Sequence, residues 1–300
     1  MLMVRPAHFG ANAETATSNF FQRARTVTLD TAARACREFD SLALALAGAG
    51  VRVHQFAGQR TVPLPDEVFP NNWLSLHADG TAVLYPMLAA NRRLERRPEL
   101  LDALREQHGY RIDRVVDLTE LEARGIFLEG TGSLVLDRER RVAYACLSPR
   151  THAAALAEFG RALDYEVLTF AAVDRAGRSI YHTNVLLSVG TRFAALCTSA
   201  IVDAGKRRTI IGRLEQAGRE IVDLSFDQLE AFAGNLLELR GRGGAVIALS
   251  AAALASLDGT ARSTLERYGR LVTSDMATIE QVGGGSVRCM LAEVALQQSR

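Results

Sequence analysis

A chain of 300 residues with 35 basic and 34 acidic side chains has a formal net charge of +1, which argues against nucleic acid or an anionic membrane surface as partner. Its aliphatic content is ample for a buried core, and its four cysteines (Cys36, Cys146, Cys197 and Cys289) lie far apart with no CxxC pair, against a disulfide framework or zinc knuckle.

Residues 2–5 read as a short strand ending at Pro6, and Met1–Pro6 lacks the layout of a signal peptide. From Asp30 to Ala47, apolar residues at Ala33, Cys36, Phe39, Leu42, Ala43 and Leu46 keep helical spacing, with Asp30 as N-cap and Gly48 and Gly50 at the close. Val51 to Phe56 alternates like a strand. Three of the seven prolines, Pro63, Pro65 and Pro70, then mark an irregular loop. A hairpin follows, Trp73–Leu76 and Thr81–Tyr85, turning at Asp79-Gly80. A basic run, Arg92 to Arg97, precedes a helix opened by Pro98 and ended by Gly109, and residues 111–116 make a third strand.

This unit recurs. After Ser133 come a second strand Val142–Cys146, a helix from Thr151 to about Leu163, and a strand Tyr165–Leu168. After Asn184 come a turn at Gly190, strand Phe193–Cys197, a helix ending near Gly218, and strand Glu220–Val222. After Asn235 come a Gly-rich turn, strand Ala245–Leu249, a helix ending near Gly269, and strand Leu271-Val272. The stretch Ala245–Leu257, broken by Ser250 and Ser256, is too short to span a bilayer. A fifth hairpin is expected from Ser286. The openings Asn72, Ser133, Asn184, Asn235 and Ser286 are 61, 51, 51 and 51 residues apart, a period that signals a repeat architecture. Length alone suggests two domains, but no linker interrupts the repeat, so residues 1–300 are expected to form one.

The fifth unit lacks a helix and a third strand, which residues 31–56 supply from the other end of the chain. A split unit of this kind implies a closed ring, which covers edge strands that an open array exposes. The expected fold is α/β, a closed five-fold pseudosymmetric α/β propeller of ββαβ units.

In a closed ring the unit openings approach one axis. Glu129, His182 and Cys289 would then converge, and a thiolate, a proton shuttle and a carboxylate are the side chains of nucleophilic catalysis. Each also has a plain reading: Glu129 as a solvated loop acid, His182 as a structural histidine, Cys289 as an apolar strand residue after a glycine turn. For Cys36, Cys146 and Cys197 the buried apolar reading is adopted, and for Arg92–Arg97 the plain reading is a solvated approach to a helix.

Phe69-Pro70-Asn71-Asn72, Leu128-Glu129-Gly130, Leu147-Ser148-Pro149-Arg150-Thr151, His182-Thr183-Asn184 and the glycines before Cys289 resemble, in matching order, the motifs of the guanidino-group-modifying, or pentein, superfamily. The wording is most similar to that of the citrulline-utilisation hydrolases. The resemblance implies a five-fold α/β propeller, a Cys289–His182–Glu129 core, and Arg150 and Arg92 as ligands of a substrate α-carboxylate. Arginine-using relatives have Asp where this chain has Asn72 and Asn184. Gly132 stands where relatives often carry Asp, which leaves the residue for the α-amino group unassigned. Two neutral amides compensate a buried guanidinium poorly, whereas they pair with both the carbonyl and the N–H groups of a neutral ureido group.

The resemblance thus implies hydrolysis of citrulline to ornithine, carbon dioxide and ammonia through a covalent thio-intermediate. An arginine deiminase or dimethylarginine hydrolase activity is the alternative, and a non-catalytic binding ring a rival of another class. No cofactor and no metal is expected, and the partner is a small-molecule amino-acid substrate. The expected location is cytoplasmic, with homo-oligomer formation left open.

Overall fold

The computed structural model describes residues 1–22, 28 and 30–298. Their strands form five small sheets. In the first of four similar sheets, β3 (Leu74–Leu76) pairs antiparallel with β4 (Thr81–Leu84), and β5 (Arg114–Asp117) joins β4 in parallel. The same order holds for β6 (Leu134–Asp137), β7 (Val142–Cys146) and β8 (Glu166–Phe170). It holds again for β9 (Leu187–Val189), β10 (Phe193–Leu196) and β11 (Glu220–Asp223), and for β12 (Leu237–Gly241), β13 (Gly244–Ser250) and β14 (Arg270–Ser274). A parallel third strand needs a crossover rather than a hairpin. Helices Glu99–Glu106, Ala153–Leu163 and Ala204–Gln216 supply it, and in the last of these units Ala251–Ser256 with Gly259–Tyr268. The expected strand–strand–helix–strand unit is present four times.

The fifth sheet pairs β1 (Leu2–Arg5) with β2 (His54–Ala57) in parallel, and helix Thr31–Gly48 is its crossover. Leu2 and Ala292 exchange backbone hydrogen bonds of 2.8 and 3.0 Å. The fifth unit is therefore shared between the two ends, but it divides one strand earlier than expected. The hairpin expected from Ser286 does not form. Val287–Met290 is a turn of 3-10 helix, and the strand that pairs beyond it is β1.

The other openings need a similar correction. Pro70–Asn72, Gly130–Ser133 and Thr183–Leu186 are single helical turns, and the strands begin after them. In the turn Thr183–Leu186, Thr183 donates to Ser133 O while its neighbour Asn184 reaches the Cys289 sulfur.

Helix Thr31–Gly48 illustrates the packing. Ala35, Phe39, Leu42, Ala43 and Leu46 fall on one stripe and are buried, each large one worth roughly 1.5–3 kcal/mol. Val51 N–H donates to Leu46 O and Gly50 N–H to Ala47 O, so Gly50, at φ +82, ends the helix in a Schellman motif. Asp30 does not cap the other end through its side chain. Cys36 is half-buried and donates to Pro6 O, unlike fully enclosed Cys146 and Cys197. No helix of the described residues is long and apolar enough to cross a membrane.

Candidate active site

The helical turns at the unit openings bring their side chains to one small cavity. Asp66, Asn72, Arg92, Arg150, His182 and Cys289 line it, with Tyr181, Phe69 and the Gly283–Gly285 turn. Asn184 joins them through Cys289, its Nδ2 lying 3.5 Å from the sulfur. Glu129 joins through His182, its Oε2 lying 2.8 Å from Nε2. All seven residues singled out from the sequence are buried around this cavity.

Glu129 is fully buried, not a solvated loop acid. Burial alone would raise its carboxyl, but Arg150, the His182 hydrogen bond and Arg92 outweigh that and hold it well below the usual carboxylate range. Burial pushes His182 down, to about 4, against the pull of Glu129. His182 is therefore neutral at neutral pH. An ionised carboxylate can only accept, so the imidazole proton sits on Nε2 and Nδ1 keeps its lone pair. This is the state of a general base.

The nitrogen with the lone pair sits over Gly132, where a Cβ would lie 2.6 Å from His182 Nδ1 and 2.5 Å from Asn72 Nδ2. Glycine is required here for close approach. Gly132→Ala is expected to displace both side chains and lower kcat by roughly 100-fold, since misplacement of about 1 Å costs that much. Steady-state kinetics beside thermal denaturation checks this, the fold being retained at the temperature of assay.

The two arginines are not free. Arg92 donates from Nε and Nη2 to both oxygens of Glu95 at 2.9 Å, and from Nη1 to Asn72 Oδ1 at 2.9 Å. Asn72 in turn donates to Asn71 Oδ1. The basic run is no solvated approach either. Arg93 and Arg96 both pair with Glu122, and Arg97 with Glu99. Arg150 donates to Glu129 Oε2 at 3.3 Å, to Thr15 O at 2.9 Å and to Ser18 Oγ, and it stacks over Tyr181.

Residues from 12 to 22 lie across the cavity. Asn19 and Gln22 donate to the carbonyls of Gly283 and Gly284, and Asn12 and Thr15 donate to Asp66 Oδ2. The other Asp66 oxygen, Oδ1, is buried with no hydrogen-bond partner. A bare carboxylate oxygen at the wall of a cavity suits a cationic ligand group. Sequence reasoning passed over Asp66, whose one signal is its place in the proline loop six residues before Asn72. It passed over Asn235 as well, seen only as a unit opening, whose Nδ2 lies 3.3 Å from the Cys289 sulfur.

A family model described as N,N dimethylarginine dimethylhydrolase, eukaryotic, matches residues 5–296. The chain belongs to that family. As a dimethylarginine dimethylhydrolase-family chain it sits within the guanidino-group-modifying superfamily, and with membership comes the class of chemistry, hydrolysis of non-peptide C–N bonds of the amidine type. Its fold is similar to the N-terminal domain of ArgZ, an arginine dihydrolase from the ornithine-ammonia cycle in cyanobacteria, solved as a cysteine-to-serine variant bound to substrate. The TM-score is 0.74 at 20% identity over 98% of both chains. Of the longer ArgZ chain in its apo structure, this family member covers 40%. It is also similar to dimethylarginine dimethylaminohydrolase in a histidine-to-glycine adduct with S-methyl-L-thiocitrulline, with a TM-score of 0.64 at 14% identity over 96% of each chain. At such identities the likeness is one of fold. Comparison with curated protein sequences gives no match.

Proposed function

We propose that this cysteine-dependent hydrolase acts on the ureido group of citrulline, giving ornithine, carbon dioxide and ammonia. The observation that carries the reading is the pair of neutral amides, Asn72 and Asn184, at the cavity of Cys289 and His182. A ureido group needs donors for its oxygen and acceptors for its N–H groups, and an amide supplies both.

His182 Nδ1 takes the proton of Cys289, and the thiolate attacks the ureido carbon. The imidazolium, stabilised by Glu129, returns that proton to a departing nitrogen as the tetrahedral intermediate collapses. His182 then activates water against the thiocarbamoyl enzyme, and the carbamate released loses carbon dioxide. Asn72 and Asn184 hold the ureido plane. Asp66 Oδ1 takes the α-ammonium, which fills the role left open at Gly132. Arg150 binds the α-carboxylate in place of its bonds to Thr15 and Ser18, so segment 12–22 shifts to admit substrate. Arg92, held by Glu95, contributes through Asn72 and not by direct contact with the carboxylate.

The same reading takes residues 1–300 as one domain whose five units close into a ring. Contacts that run from opening to opening support closure. Thr131 donates to Asn71 O, Thr183 to Ser133 O, Asn235 to Asn184 O, and the Arg288 backbone to Asn235 Oδ1. Gly283 and Gly285 return to Phe69 of the first unit, a Cβ at either meeting its ring at 3.0 Å.

A guanidino substrate is the second reading, favoured by the match to the dimethylarginine dimethylhydrolase family. Purified protein offered citrulline, arginine, methylarginine and agmatine separates the two. Ornithine and ammonia from citrulline, with no product from the guanidines, is the expected result. Turnover of arginine or methylarginine without turnover of citrulline establishes the second reading instead.

A further inference from the structure

Asn235 opens the fourth unit and is fully buried, yet nothing in the reaction as described uses it. Its amide makes three contacts. Oδ1 accepts the Arg288 N–H at 3.0 Å, and Nδ2 donates to Asn184 O at 2.8 Å and lies 3.3 Å from the Cys289 sulfur. The orientation follows from the partners. A backbone N–H can only donate and a backbone carbonyl can only accept, so the oxygen must face Arg288 and the nitrogen Asn184. The atom that meets the sulfur is therefore an N–H donor. Its second hydrogen has no other partner among the contacts of this amide.

We propose that Asn235 is the thiolate-stabilising residue of this site, holding the Cys289 turn by its backbone and donating a hydrogen bond to the ionised sulfur. The proposal rests on Cys289 being the nucleophile. A donor that bonds the charged form favours it, and a thiol is a better nucleophile at neutral pH when more of it is ionised. Asn184 Nδ2, at 3.5 Å, adds a second and longer contact to the same sulfur. A purely structural bridge between units would need only the two backbone contacts. The charged and titratable groups facing Cys289 are Asp66 and Arg92 from the first unit, Arg150 from the second, Tyr181 and His182 from the third, and its neighbour Arg288. None of their side chains bonds the Asn235 amide, whose partners are the Arg288 N–H, Asn184 O and the sulfur.

Two variants test this. Asn235→Ser shortens the side chain out of reach of the sulfur, and serine already opens two other units at Ser133 and Ser286, so the fold accommodates it. Asn235→Asp keeps shape and the acceptor for Arg288 but removes both donors and places a carboxylate by the sulfur. In a Cys36→Ser background, the rate of Cys289 carbamidomethylation by iodoacetamide is measured against pH, the site identified by peptide mass. Cys146 and Cys197 serve as internal controls, since burial pushes their thiols up to about 12 and about 11.

The midpoint for Cys289 is expected to rise by about one unit in Asn235→Ser and by more in Asn235→Asp, the scale of one lost bond to a charged group. Turnover of the preferred substrate should fall about 10-fold or more at neutral pH in Asn235→Ser, with KM little changed, and recover at higher pH. A midpoint unmoved in both variants, or a loss of turnover that alkaline pH does not restore, overturns the proposal. Failure of the underlying reading shows differently, as turnover retained when Cys289 itself is replaced.

Discussion

Cys289→Ser is expected to lower kcat by roughly three powers of ten or more while leaving substrate binding and stability close to the parent. A serine hydroxyl fits the same space, and the amides of Asn184 and Asn235 that donate to the sulfur donate equally to an oxygen. What is lost is ionisation. His182, pushed down to about 4 by burial, is too weak a base to keep a hydroxyl deprotonated. Isothermal calorimetry with citrulline, beside an ammonia-release assay, separates the two effects. Turnover within 10-fold of the parent would remove the nucleophile assignment. Cys146→Ser and Cys197→Ser make the contrast, because each replaces a thiol enclosed in the hydrophobic core and not at the cavity, and should affect denaturation more than kcat.

The second large effect concerns charge. Asn72→Asp with Asn184→Asp should collapse affinity for citrulline by about two or more powers of ten and raise that for arginine, measured by calorimetry in the Cys289→Ser background. The two positions contribute unequally. Asn72 Oδ1 already accepts from Arg92 at 2.9 Å, so a carboxylate there gains a counter-charge and is tolerated. Asn184 Nδ2 faces the sulfur, so a carboxylate there loses a donor to it and would repel the thiolate. Asn72→Asp alone is therefore the cleaner probe of substrate charge. A double variant that still prefers citrulline over arginine would leave the ureido reading without its physical basis.

Elements whose signal lies in local periodicity were legible before the structure. Val142–Cys146 is a strand with the expected ends, and the turn at Asp79-Gly80 places Gly80 at φ +82. The 51-residue spacing located the openings but not their shape, because a helical turn of three or four residues has no period to read. Features that depend on a distant partner were hidden for a different reason. Arg96 looked solvated because Glu122 lies 26 residues on. Asp66 looked like loop because Asn12, which buries it, lies 54 residues back. Asn235 acquires its role only when residues 288 and 289 fold against it. Cys289, His182 and Glu129 were legible together because each stands at or beside a unit opening.

The exchange of hydrogen bonds between Leu2 and Ala292 has a consequence for the order of folding. Four sheets are built from segments contiguous in the chain and can form as synthesis proceeds. The sheet of β1 and β2 also lies within the first 57 residues, but its junction with Ala292 must wait for nearly the whole polypeptide, and closing a loop of that length costs about 5 kcal/mol in chain entropy, which short-range contacts must first offset. Cys289 lies three residues before this late junction, while Glu129, His182 and Asn184 lie in units complete well before it. A nascent or truncated chain thus holds Glu129 and His182 together without Cys289, which joins them last. Recovery of activity after dilution from denaturant should therefore trail recovery of far-ultraviolet ellipticity, by the time the two ends take to meet.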